Sequence, residues 1–128
     1  MPPSAQARPA RILVADDDRD AVRSLLTLLE LEGFEARGFY NGFDVIQEVQ
    51  ASGADAVLLD IGMPELDGYT VARDLRRRYA SARPLLIAVT ARSTRLDEAL
   101  AKIAGFDHHV TKPYEANTLI RLLAPLQK

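Results

Sequence analysis

A few side chains suited to phosphate and hard cations stand at the ends of short apolar runs. Asp16 and Asp17 follow Ile12-Leu13-Val14-Ala15, Asp60 follows residues 54–59 (ADAVLL), Thr90 follows residues 84–89 (PLLIAV), and Lys112 follows residues 106–111. Carboxylates packed together repel one another, and a hard dication bound through oxygens relieves that repulsion. An ammonium and a hydroxyl beside such a dication complete a site in which charge is neutralised as a phosphoryl group moves. A single acid after a strand commonly serves as a helix N-cap, and Asp18 and Asp20 read that way. Two acids, one acid, a threonine and a lysine at four such run ends need a stronger reason. Neither GxGxxG nor GxxxxGK[ST] occurs, so the pattern is a phosphate site without a nucleotide cradle.

These residues converge only if the runs are strands of one sheet. Val22, Leu25, Leu26 and Leu29 recur at helical spacing and are closed by Gly33. Residues 34–39 read as a second strand, and Val45, Ile46 and Val49 as a second helix ending near Gly53. The third strand ends at Asp60, and the Met63–Gly68 segment is turn chemistry. Val71, Ala72, Leu75 and Tyr79 mark a third helix, with Arg76, Arg77 and Arg78 read as its solvated face. The fourth strand is followed by a helix carrying Leu96, Ala99, Leu100 and Ile103, whose apolar stripe is expected in the core. A short fifth strand over residues 106–111 precedes a last helix with Ala116, Leu119, Ile120 and Leu123, ended by Pro125. Strict alternation demands crossovers, and these make a parallel sheet with helices on both faces. In such a sheet ligands bind beyond the carboxyl ends of the strands, where the strand order reverses.

Composition narrows the function class. With 128 residues, 48% hydrophobic and 27% charged, the chain suits one domain with a real core. A net charge of -2 argues against direct nucleic-acid binding, and the absence of cysteine removes disulfides, thiolate metal sites and cysteine nucleophiles. No apolar run is long enough to span a bilayer, and the proline-bearing residues 1–10 do not resemble a secretory signal. The expectation is a flexible segment 1–10, a domain over 11–128, no membrane association and a cytoplasmic location.

The stretches Ile12–Asp18, Leu58–Gly68 (with D-x-x-M-P-x-x-D-G), Val89-Thr90-Ala91 and Lys112-Pro113 together resemble the receiver domain of two-component response regulators. That resemblance implies a flavodoxin-like α/β fold, a doubly wound (βα)5 unit with strand order 2-1-3-4-5. It implies Asp60 as phosphoacceptor, with Mg²⁺ (or Mn²⁺) held by Asp17, Asp60 and the Gly62 carbonyl, and by Asp16 through a water. Lys112, Thr90 and the Ala91 N–H would meet phosphoryl oxygens, and Lys112–Pro113 resembles the family's cis-proline turn. The implied donors are a histidine kinase or histidine phosphotransfer protein. The output face would be helix 4–strand 5–helix 5, which is also a surface for homodimer formation. A receiver catalyses only its own phosphorylation and dephosphorylation, so it is not a turnover enzyme. The GFDHH-x-x-KP stretch is similar to receivers attached to hybrid histidine kinases.

One position departs from the family pattern. Three residues before the lysine, where Tyr or Phe is usual, stands His109. In the family this side chain turns inward as the threonine follows the phosphoryl group, so Thr90 and His109 are the implied switch pair. An imidazole fills similar space but is smaller and ionises. Residues flanking the hydrolytic water's path would be Gly62 and Arg92. Rival readings fit less well. An aspartyl-phosphate phosphatase needs an acid two residues beyond its nucleophile, where this chain has Gly62. A flavin binder needs a Ser/Thr-rich loop after strand one. A degenerate receiver that only binds a partner would not need Asp16, Asp17, Asp60, Thr90 and Lys112 together.

Overall fold

Strands buried on both faces must be apolar throughout, and that is how the central ones are built. The computed structural model describes residues 8–79, 84–91 and 94–127. Its strands are β1 (Arg11–Ala15), β2 (Glu35–Phe39), β3 (Ala56–Leu59), β4 (Leu85–Thr90) and β5 (His108–Thr111). The helices between and after them are α1 (Arg19–Leu31), α2 (Gly42–Ser52), α3 (Gly68–Arg78), α4 (Arg95–Ala104) and α5 (Ala116–Leu123), with a 3₁₀ turn over Ala124–Leu126. All pairings are parallel, in the order β2-β1-β3-β4-β5. The expected doubly wound fold and strand order are therefore observed. No helix among the described residues is long and apolar enough to cross a membrane.

Two hydrophobic layers sandwich the sheet. On one face α2, α3 and α4 cover Leu13, Val57, Leu59, Leu86 and Ala88 with Val45, Val49, Val71, Leu75, Ala101 and Ala104. On the other, α1 and α5 cover Ile12, Val14, Leu58, Ile87, Val89 and Val110 with Val22, Leu25, Leu29, Leu119 and Leu123. Edge strand β2 is one residue shorter than the expected 34–39: Phe34 is buried but lies ahead of the ladder, and Glu35 and Arg37 face solvent. Strand β5 likewise starts at His108, after the buried Phe106. Side-chain caps start four helices at the carboxyl edge of the sheet: Asp18, Asn41, Asp67 and Thr94, the last in a reciprocal capping box with Asp97. Asp18 thus does the capping work its position suggested.

Two expectations fail. The stripe on α4 is not core: Leu96 and Ile103 are 67% and 78% exposed, and Leu100 is exposed too. The helix packs instead through the small Ala101 and Ala104, its buried residues. Nor is Arg76 part of a solvated face. Its guanidinium donates to the carbonyls of Pro84 and Gly105, both at 3.0 Å, and to the Asp107 carboxylate. Asp107 Oδ2 also accepts the Leu86 N–H at 2.8 Å, so one arginine ties α3 to the segments leading into β4 and β5. Arg76→Ala should lower the unfolding free energy by roughly 1–3 kcal/mol, the cost of leaving part-buried acceptors without their donor. Arg76→Lys should recover only a small part, since one ammonium cannot replace a planar fork. Urea unfolding indistinguishable from the parent would return Arg76 to the solvated face.

Candidate functional site

The ladder register builds the site. Ala15 pairs with Leu59, so the residues that follow, Asp16 and Asp60, emerge side by side where the strand order reverses between β1 and β3. Backbone bonds fix both: Asp16 N–H donates to Phe39 O at 3.1 Å, and Asp60 N–H to Ala15 O at 2.9 Å. Asp16 is buried, Asp60 half-buried and Asp17 exposed, and one carboxylate oxygen from each lies within 4.8 Å of the others. Thr90 ends β4, Lys112 follows β5, and Lys112 N–H donates to Thr90 O at 2.8 Å. The Lys112–Pro113 bond is cis, and the Lys112 ammonium sits 2.6 Å from Asp16 Oδ2. Every expected acid and the lysine therefore reach one edge.

The electrostatics follow from that packing. Burial raises the Asp60 carboxyl above its usual range, and the neighbouring Asp16 charge raises it further, against the Gly62 N–H and Lys112. Burial would lower the Lys112 ammonium, but the Asp16 hydrogen bond and the charges of Asp16 and Asp60 leave it raised and firmly protonated. Hard oxygen donors this close to one another fit an oxygen-seeking dication, which none of the nitrogen or sulfur ligand sets would.

The loop after Asp60 holds it in place. Ile61 and Met63 are buried on either side of the exposed Gly62, whose N–H donates to Asp60 Oδ1 at 3.2 Å. Glu65 adopts a left-handed φ of 68°, and the turn closes with Gly68 N–H on Ile61 O at 3.0 Å. A Cβ on Gly68 would lie 2.8 Å from Ile61 Cα and 2.9 Å from Asp60 O, so only glycine lets α3 start against the Asp60 backbone. Asp67 caps that helix through Thr70 N–H at 2.9 Å.

Thr90 is buried and Ala91 exposed, at the end of β4. Arg92 lies outside the described residues. The sequence reading missed Tyr114, which with Asp16, Asp60 and Lys112 lines a small pocket under the acids. Burial raises its phenol. Its place directly after Lys112-Pro113 was the available signal. The reading also missed Tyr69, whose hydroxyl donates to Asp97 O in the first turn of α4 at 3.3 Å. His109 is half-buried on the α4 side of β5, opposite Ala88, while the exposed His108 pairs with Ile87 on the other face.

Residues 12–124 match the family described as the response regulator receiver domain. The chain belongs to that family. The sensory transduction protein RegX3 of Mycolicibacterium smegmatis is 39% identical over 118 residues, spanning 91% of this chain and 50% of that relative. This receiver chain thus spans about half the length of the curated relatives it matches. The Francisella response regulator 1452 receiver domain superposes with a TM-score of 0.84 at 25% identity, covering 91% of this chain and 95% of that one. The Vibrio cholerae chemotaxis protein CheY4 shares the fold, with a TM-score of 0.85 at 20% identity over 91% and 98% of the two chains. The fold and the two-component signalling family are thereby settled.

Two outcomes test the site's construction. Because the Asp60 pKa is raised, its charged form opposes folding above the ordinary carboxylate range and not below it. Asp60→Asn should therefore unfold at a higher temperature than the parent at neutral pH in metal-free buffer. The gain should vanish by about pH 3, where both states bind the proton, and shrink in excess Mg²⁺, which stabilises only the intact ligand set. Thermal scans under the three conditions decide it. Gly68→Ala should cost about 1–3 kcal/mol by overpacking and weaken Mg²⁺ binding, read by titration; unchanged affinity would free Asp60 from this loop.

Proposed function

We propose that this receiver accepts a phosphoryl group on Asp60 from the phosphohistidine of a histidine kinase or histidine phosphotransfer protein. The observation that carries the reading is Asp60 packed against Asp16 and Asp17, with Lys112 bonded to Asp16. Asp17, Asp60 and the Gly62 carbonyl would hold Mg²⁺ or Mn²⁺, with Asp16 acting through a water. The dication, when bound, supplies positive charge against both the acids and the phosphoryl oxygens.

The chain's own groups then do the following. An Asp60 carboxylate oxygen attacks phosphorus in line; the P–O bond forms as the P–N bond to the donor imidazole breaks, and the imidazole leaves with the bonding pair. Lys112 binds a phosphoryl oxygen, and the Thr90 hydroxyl and Ala91 N–H meet others. Water later hydrolyses the acyl phosphate. Phosphorylation draws Thr90 inward, the His109 ring already packed on the α4 side of β5 adjusts with it, and the balance between two conformations shifts. The exposed Leu96, Leu100 and Ile103 on α4 supply the apolar patch that this α4–β5–α5 face offers a partner or a second copy.

Incubation with acetyl phosphate and Mg²⁺ should add one hydroxylamine-labile phosphoryl group by mass spectrometry, and Asp60→Asn should take up none. Asp17→Ala should weaken Mg²⁺ by at least about tenfold, and Lys112→Ala should slow phosphorylation by about 10²-fold. A parent protein that binds no Mg²⁺ and takes no phosphoryl group would instead favour a phosphorylation-independent binding module.

A further inference from the structure

Two helices of one layer, α3 and α4, form an exposed seam. The Tyr69 hydroxyl at the start of α3 reaches Asp97 O at the start of α4, and Arg76 near its end reaches Gly105 O at the α4 terminus. The helices therefore run side by side in the same direction. Leu100 follows Asp97 at i+3, so it stands on the flank of α4 turned to α3, with Leu96 and Ile103 beside it on the outer surface. Glu98 and Lys102 take the opposite flank, towards β5. The apolar stripe thus carries the α4–β5–α5 face over the crest of α4 towards α3.

On α3 the row next to that stripe is basic. Arg73 and Arg77 follow Tyr69 at i+4 and i+8, and both are exposed, while Val71, Ala72 and Leu75 take the buried side. Neither guanidinium has a carboxylate partner among the described residues. The nearest acids are engaged elsewhere: Asp74 pairs with Arg78 at 2.8 Å on the α2 side, and Asp97 closes the α4 capping box. Three large apolar side chains beside two unpaired cations make one half of a complementary surface.

We propose that the α3–α4 seam binds an amphipathic helix of a partner protein, its apolar stripe on Leu96, Leu100 and Ile103 and its carboxylates on Arg73 and Arg77. Charge decides the occupant. A second copy meeting the seam through its own would bring two more arginines and no acid to pair them. An anionic bilayer would meet Glu98 along the other flank of the stripe. This role rests on α4 presenting a partner surface and needs no phosphoryl transfer to Asp60.

Amide NMR of the 128-residue chain, with and without beryllofluoride and Mg²⁺, supplies the test. The probe is a helical peptide with leucines at i, i+3, i+4 and i+7 and glutamates along one flank. A second peptide replaces each glutamate by lysine. In at least one of the two states the acidic peptide should shift amides of both α3 and α4 saturably, and the basic one should bind about tenfold more weakly. Arg73→Glu with Arg77→Glu should weaken the acidic peptide by about tenfold and strengthen the basic one. Leu100→Gln should weaken both. All three positions are exposed, so the variants keep the fold, which their core amides report. Equal affinity for the two peptides, shifts confined to β5 and α5, or no binding in either state would overturn the proposal. Seam shifts produced by phosphatidylglycerol vesicles but not by the peptide would assign the surface to a membrane, and concentration-dependent seam shifts that the peptide cannot displace would assign it to a second copy; either overturns it too. Acetyl phosphate labelling of Asp60 is read separately, so failure at the seam is distinguishable from failure of the phosphoacceptor.

Discussion

Negative charge concentrated at the reversal of strand order is the constraint on which the rest of the structure depends. Asp16 and Asp60 leave paired positions of adjacent strands, so the backbone itself forces their carboxylates together. Folding can hold them there only with a cation, and Lys112, 96 residues further on, provides it from the end of β5 at 2.6 Å. Much of the fold serves that contact. The β4–β5 ladder, continued by the Lys112 N–H on Thr90 O, brings the lysine to the acids, and Gly68 lets the following helix start against Asp60. The repulsion that remains favours ligands that bring positive charge, as a hard dication bound through oxygens does.

Rigidity and looseness are divided across the sheet. β1, β3 and β4 are buried on both faces, and the arginine fork of Arg76 locks α3 to the lead-in of β4 and β5. By contrast α4 meets the sheet through alanines and is pinned at its start by the Tyr69 hydroxyl on Asp97 O. Small contacts separate at low cost, whereas interdigitated leucines do not. Leu96, Leu100 and Ile103 leave that helix with an exposed apolar outer stripe.

Much was legible in order along the chain. Alternating apolar runs and helical periodicities specified five parallel strands and their helices. The residues ending those runs specified a carboxylate-and-lysine site, because in a parallel sheet every strand's carboxyl end lies at the same edge. The motif after Asp60 specified the family. These features are local: each depends on a few neighbouring residues and the period of the element that holds them.

What the chain order could not decide concerns which atoms meet across the fold. An apolar stripe at helical spacing reads as core, yet on α4 it faces outward and Ala101 and Ala104 are the residues buried. Three consecutive arginines read as a solvated face, yet Arg76 finds carbonyls at Pro84 and Gly105, brought to it from other segments. His109 reads as an aromatic replaced, but only its packing under α4 reveals a buried nitrogen with no partner. Local sequence determined the elements and the chemistry at their ends. Tertiary structure decided burial and partnership, because a side chain's surroundings are set by residues distant in sequence, and no periodicity records which of them will arrive.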